Sequence, residues 1–195
     1  MQFCDELDFG FGWIDDGERI RRTSHALVNG EAVWLVDPID WTEAIERAQQ
    51  VGSVRGVVQL LDRHARDCAG LARRLDVALH RVPRERIPGA PFEFLNVIGT
   101  RWWDEVALWW PLRRTLVVAD ALGTIGYFRA PRERLGIHPF LRLWPPKALR
   151  RVFPEHVLCG HGEGVHDNAS ESLHEALRTA RRRLPAAVLN GIRRV

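Results

Sequence analysis

Gly56-Val57-Val58-Gln59-Leu60-Leu61-Asp62-Arg63-His64-Ala65-Arg66-Asp67-Cys68 changes character at Asp62. Before it lies a nearly unbroken apolar run, as in a strand covered on both faces, which marks parallel sheets with helices laid over them. After it come charged and donor-bearing side chains that cannot extend a buried strand. Residues 69–75 then read as a helix, and Val77-Ala78-Leu79-His80-Arg81-Val82 as the next strand. Strand, donor-rich loop, helix and strand together make a unit of a layered α/β protein.

The flanks continue the pattern. Towards the N-terminus, Ser24-His25-Ala26-Leu27-Val28 and Ala32-Val33-Trp34-Leu35-Val36 flank Asn29-Gly30, a strong hairpin turn. Asp37-Pro38 stops the second strand, because proline has no ladder donor. Residues 41–50 have helical spacing, with Ala44, Ile45 and Ala48 on one side. Towards the C-terminus, a proline-rich connector (83–91) leads to strands over 92–98 and 105–110. Leu116-Val117-Val118-Ala119 is closed by Asp120, and Val157-Leu158-Cys159 by Gly160-His161-Gly162. Residues 126–146 are loop-rich and 147–153 form a short basic helix. The longest helix spans 169–184, with Leu173, Ala176, Leu177 and Ala180 on one face. No linker or repeat interrupts the chain, so residues 1–195 read as one domain.

A chain of 195 residues that is 46% hydrophobic and 27% charged can bury a sizeable core and is not disordered by composition. No apolar run is long enough to span a bilayer, and Met1-Gln2-Phe3-Cys4-Asp5-Glu6 lacks a basic-then-apolar leader, so a cytoplasmic location is expected. Cys4, Cys68 and Cys159 are an odd number without framework spacing and read as reduced thiols. The net charge of +3 is modest. Arg178 to Arg183, the densest basic run, lacks interleaved aromatics, so it reads as a solvated helix face rather than a nucleic-acid surface. Trp102, Trp103, Trp109 and Trp110, with Trp144, suit core packing or an apolar substrate cleft, and the paired tryptophans a homodimer contact.

Three loops after apolar strands end in metal-competent side chains: Asp67-Cys68, Asp120 and His161. Ligands of layered α/β folds bind at strand ends, and carboxylate, thiolate and imidazole can together satisfy one zinc, iron or manganese ion. The ordered set (opening hairpin ending in Asp37-Pro38, metal loop to Cys68, strand to Asp120, strand to His161) resembles the metallo-β-lactamase fold family from about Ser24 onward. That resemblance implies a four-layer αββα sandwich. The family's first metal loop reads His-x-His-x-Asp-His, against Arg63-His64-Ala65-Arg66-Asp67-Cys68 here.

On this alignment the histidines of one metal become Arg63, Ala65 and, after a later strand, Arg101, none of which can ligate. The other metal's positions keep donors: Asp67, Cys68 in place of histidine, Asp120 and His161. The resemblance thus implies a metal-dependent hydrolase cut back to a mononuclear site. An equal alternative is a metal-free, non-catalytic relative in which Arg63 and Arg101 neutralise the carboxylates. A third reading is an anion-binding module or a phosphoester-processing enzyme in which the arginines grip a phosphate- or carboxylate-bearing small molecule. His64 falls at an intervening position that points away from the site unless the register shifts. His166 is expected to line the pocket mouth or cap the last helix.

Overall fold

The computed structural model describes the backbone of residues 1–194 and side chains through residue 191. Twelve strands and three α-helices are present among these residues. The first sheet contains β1 (Gln2–Leu7), β2 (Gly10–Ile14), β3 (Thr23–Asn29), β4 (Ala32–Val36), β5 (Ser53–Gln59) and β6 (Ala78–Arg81), in that spatial order. Its first four strands pair antiparallel, and β4, β5 and β6 run parallel. The parallel half needs crossovers, supplied by α1 (Thr42–Val51) and α2 (Cys68–Arg74).

The second sheet contains β7 (Glu93–Thr100), β8 (Trp103–Trp110), β9 (Thr115–Val118) and β12 (His156–Cys159), with spatial order β12-β9-β8-β7. β12 lies parallel to β9. A two-residue ladder pairs β10 (Leu122–Gly123) with β11 (Gly136–Ile137). The last helix, α3 (Ala169–Arg194), continues past the predicted end at 184 and through Pro185. That proline withholds the N–H that would bond the Arg181 carbonyl.

Strand alternation builds the layers. Val33 and Leu35 of β4 face outward and pack with Ala44, Ile45, Ala48, Leu71 and Ala72 of α1 and α2. Trp34 and Val36, one residue out of phase, face the second sheet with Val58, Val106, Leu108 and Val117. Leu173, Ala176, Leu177 and Ala180 of α3 join this central core from the far side, giving the α/β/β/α order. β1 and β2 were not legible in the sequence; in β2, Gly10 and Gly12 dilute the strand pattern. The 147–153 segment forms a 3-10 turn over Lys147–Arg151, not an α-helix. No described helix is long and apolar enough to cross a membrane.

Four chain reversals meet at one end of the sandwich: those after β4 and β5 in the first sheet, and after β9 and β12 in the second. In each sheet the two strands are parallel neighbours, so their C-terminal ends open on the same side.

Candidate metal centre

Those four reversals carry Asp37, His64, Asp120 and His161. His64 Nε2 lies 2.9 Å and His161 Nε2 3.0 Å from the same atom, Asp120 Oδ1. One donor atom from each of these three residues falls within 4.8 Å of the others, a group able to hold a metal ion. Each imidazole is also fixed from behind. His64 Nδ1 is 3.1 Å from Asp37 Oδ2, and His161 Nδ1 donates to the Ile20 carbonyl at 2.7 Å. The outer nitrogen of each ring thus has a partner, and the inner nitrogens converge.

The backbone supports this placement. Asp37 sits at φ +43° and Arg66 at φ +38°, left-handed conformations that non-glycine residues adopt at a cost. Asp37 Oδ1 accepts the Leu60 N–H at 2.9 Å, locking its carboxylate across the ends of β4 and β5. The buried Arg66 guanidinium donates to the carbonyls of Thr23 (2.6 Å), Asp37 (2.8 Å) and Gly160 (2.9 Å). One side chain thereby ties the His161 loop to the first sheet beneath the site.

Charge follows the geometry. Burial alone would raise Asp120, but His161 and His64 hold it far below the usual carboxylate range. Burial and the nearby Arg66 disfavour the protonated His64 ring, yet Asp120 and Asp37 outweigh them and raise it. Glu105 of β8 is fully buried, and burial pushes it up to about 7. It accepts the Ala121 N–H at 2.9 Å and the Trp103 indole N–H at 2.8 Å, fixing the turn that presents Asp120.

Aromatic groups complete the rim. Phe128 stacks on His161 with ring centres 5.7 Å apart and lies edge-on to His138 at 5.6 Å. His138 Nδ1 accepts the Phe140 N–H, which leaves the proton on Nε2, beside the Tyr127 hydroxyl at 3.3 Å. Burial pulls His138 down to about 4, so the ring is neutral near pH 7.

The sequence-derived residues divide sharply. Asp120 and His161 belong to the donor group. His64, expected to point away, points inward. Asp67 and Cys68 lie outside the donor group. Asp67 is exposed at the start of α2 and accepts the Asp40 N–H at 2.8 Å. Cys68 is buried between α2 and the first sheet, and desolvation followed by the Asp37 charge pushes its thiol up to about 12. Arg63 reaches the site, 3.8 Å from Asp120 Oδ2 and laid over the Trp103 ring at 4.7 Å. Arg101 does not; it is exposed at the β7–β8 turn over Trp102.

His166 belongs to a second network. Its Nε2 lies 2.9 Å from Asp5 Oδ1, which also accepts the Gly164 N–H at 2.7 Å, while His25 Nε2 lies 3.3 Å from Asp5 Oδ2. His166 also lines a separate crevice of about 380 Å³ with Arg21, Arg134 and Glu163. Arg66, Glu105, Tyr127 and His138 carry no functional signal in the sequence, and Asp37 stands out there only as the end of the opening hairpin.

No protein-family model and no curated protein matches the chain. Solved structures do. The DIM-1 metallo-β-lactamase exposed to ceftazidime aligns over 92% of this chain and 97% of its own at 11% identity and TM-score 0.59. A metallo-β-lactamase from Pontibacter korlensis aligns over 91% and 98% at 11% identity and TM-score 0.58. A chemotaxis sensor, ODP, solved as a peroxy diiron species, aligns over 93% and 94% at 13% identity and TM-score 0.56. The chain therefore has the metallo-β-lactamase fold. At such identities the likeness speaks for the fold alone, and the chemistry rests on the residues themselves.

Proposed function

We propose that the chain is a metal-dependent hydrolase with a single divalent ion held by His64 Nε2, Asp120 and His161 Nε2. One observation carries this reading: both imidazoles are anchored through Nδ1, to a carboxylate and to a backbone carbonyl, leaving Nε2 free to ligate beside a shared carboxylate. That outer arrangement sets the tautomer and direction of metal-binding histidines. Two imidazoles and one carboxylate suit zinc or iron, and manganese less well. The diiron state of the ODP sensor makes iron worth testing alongside zinc.

When bound, such an ion polarises a substrate oxygen and acidifies water. The chain's own groups do the rest. Arg63, stacked on Trp103 and half-exposed, offers a cation beside Asp120 for a phosphate- or carboxylate-bearing substrate. His138 with Tyr127 offers a neutral proton-carrying pair at the rim.

A second reading rests on its own observation. Without a metal, both Nε2 atoms lie at hydrogen-bond distance from one Asp120 oxygen, a closed network that Arg63 supplements. This is the metal-free, non-catalytic alternative, with Arg63 but not Arg101 taking part.

Elemental analysis of protein purified without chelator and then offered zinc, iron and manganese separates the two. The metal reading expects about one ion per chain, lost in His64→Ala and His161→Ala and kept in Asp67→Ala and Cys68→Ala. Well under one ion in every condition leaves the metal-free network.

A further inference from the structure

A second feature lies away from this centre. Pro145, Lys147, Arg150, His174, Leu177, Arg178 and Arg181 enclose a cleft of about 640 Å³ between the 3-10 turn Lys147–Arg151 and α3. Pro145 and Leu177 give it an apolar part, and four cations line it without a single carboxylate. Lys147, Arg150, Arg178 and Arg181 make no ion pair among the described residues, although surface arginines elsewhere are widely paired. Unpaired like charges gathered in one cleft repel one another, an arrangement that an anionic ligand relieves.

Large exposed aromatics border the same cleft. Trp144 is 73% exposed and Phe153 58% exposed. Trp144 directly precedes Pro145, which lines the cleft, and follows Leu143, whose carbonyl accepts from Arg181 Nε at 2.8 Å. Its indole stacks on no other ring or guanidinium among the described residues. Phe153 covers His174 with ring centres 4.7 Å apart. The basic run of α3 has no aromatics of its own, but the fold brings them to it from the 144–153 segment. Arg151 and Arg182, both exposed, carry the charge beyond the cleft, which suits an extended polyanion better than an isolated phosphate.

We propose that this cleft binds single-stranded nucleic acid, with phosphates on Lys147, Arg150, Arg178 and Arg181 and a base stacked on Trp144. Cationic grooves beside open aromatic faces hold single strands in this way. An acidic peptide would use the cations but leave the indole face without a planar partner, and an anionic membrane, which could take both, is separated by the vesicle arm of the test.

Fluorescence anisotropy of the full chain with a labelled oligothymidylate of about twelve nucleotides tests this. Neutralising three to four phosphates gives a slope of log affinity against log salt of about −2 to −3. Arg150→Ala with Arg178→Ala is expected to flatten that slope by about 1.4. Trp144→Ala is expected to weaken binding about tenfold with the slope unchanged. All three residues are exposed, so circular dichroism should match the parent. No binding at about 50 mM salt, equal affinity in the double variant, or preference for phosphatidylserine vesicles or polyglutamate over the oligonucleotide would overturn the proposal.

Discussion

His64 takes its direction from Asp37. With Asp37 Oδ2 accepting from Nδ1, the neutral ring keeps its lone pair on Nε2, where Asp120 and His161 face it. Asp37→Asn tests this closely. The asparagine keeps an oxygen for the Leu60 N–H, but can place its amide N–H against Nδ1, which moves the ring proton to Nε2 and blocks ligation. Metal affinity, measured by competition with a chromophoric chelator, should fall about 10–100-fold with little change in fold. Glu105 gives a second test at this scale. Its ordinary carboxyl value near 4.5 is raised to about 7 in the fold, so between those values the native protein keeps a proton the unfolded chain releases. Its contribution is therefore full below about pH 4.5 and falls as pH rises to 7, by on the order of 3 kcal/mol. Urea unfolding of Glu105→Gln against the parent should show this pH-dependent difference across that window. A difference independent of pH would mean that Glu105 ionises without penalty.

At the scale of elements, the strands and crossover helices were readable because burial imprints a period on the sequence. The Asn29-Gly30 hairpin, the apolar runs at 56–61 and 116–119, and the stripe on α3 all appear in the structure. What the sequence hid is the facing of loop side chains. Between β5 and α2 no repeating period says which residue turns inward, and Arg66 at positive φ changes the chain's direction midway. Alignment to a motif therefore favoured Asp67 and Cys68, whereas the loop spends Asp67 at the start of α2 and Cys68 on its buried face. Asp120 and His161 were legible because each lies just two residues past the end of an apolar strand, β9 and β12. The remote partners of the site, Glu105 and His138, are set by pairing between distant segments, which one sequence does not display.

Across the whole molecule, the donor group joins the two sheets. His64 comes from the first, Asp120 and His161 from the second, so a metal there would act as a clamp. At a hundredfold excess over its dissociation constant it would stabilise the native state by about 2.7 kcal/mol. Calorimetry before and after chelator should then show a melting temperature lower by on the order of 5–10 °C in the parent, and no change in His161→Ala. An unchanged parent would argue for the closed, metal-free network. The modest net charge of +3 conceals an uneven distribution, since the cations of α3 and the 147–151 turn lie together.

The Asp5 network bears on how the chain folds in time. Burial alone would raise Asp5, but hydrogen bonds from His166 and His25 hold it below the usual carboxylate range. Its contacts with Gly164 and His166 span 159 and 161 residues, nearly the full length of the sequence. So long a closure costs chain entropy that local contacts cannot offset early, which places it after the rate-limiting step of folding. During synthesis, this carboxylate can meet His25 early but has to wait for almost all of the rest before Gly164 and His166 reach it. Asp5→Asn should therefore speed unfolding in stopped-flow experiments while leaving the refolding rate nearly unchanged. A comparable slowing of refolding would mean that this clasp forms early and organises the sandwich around it.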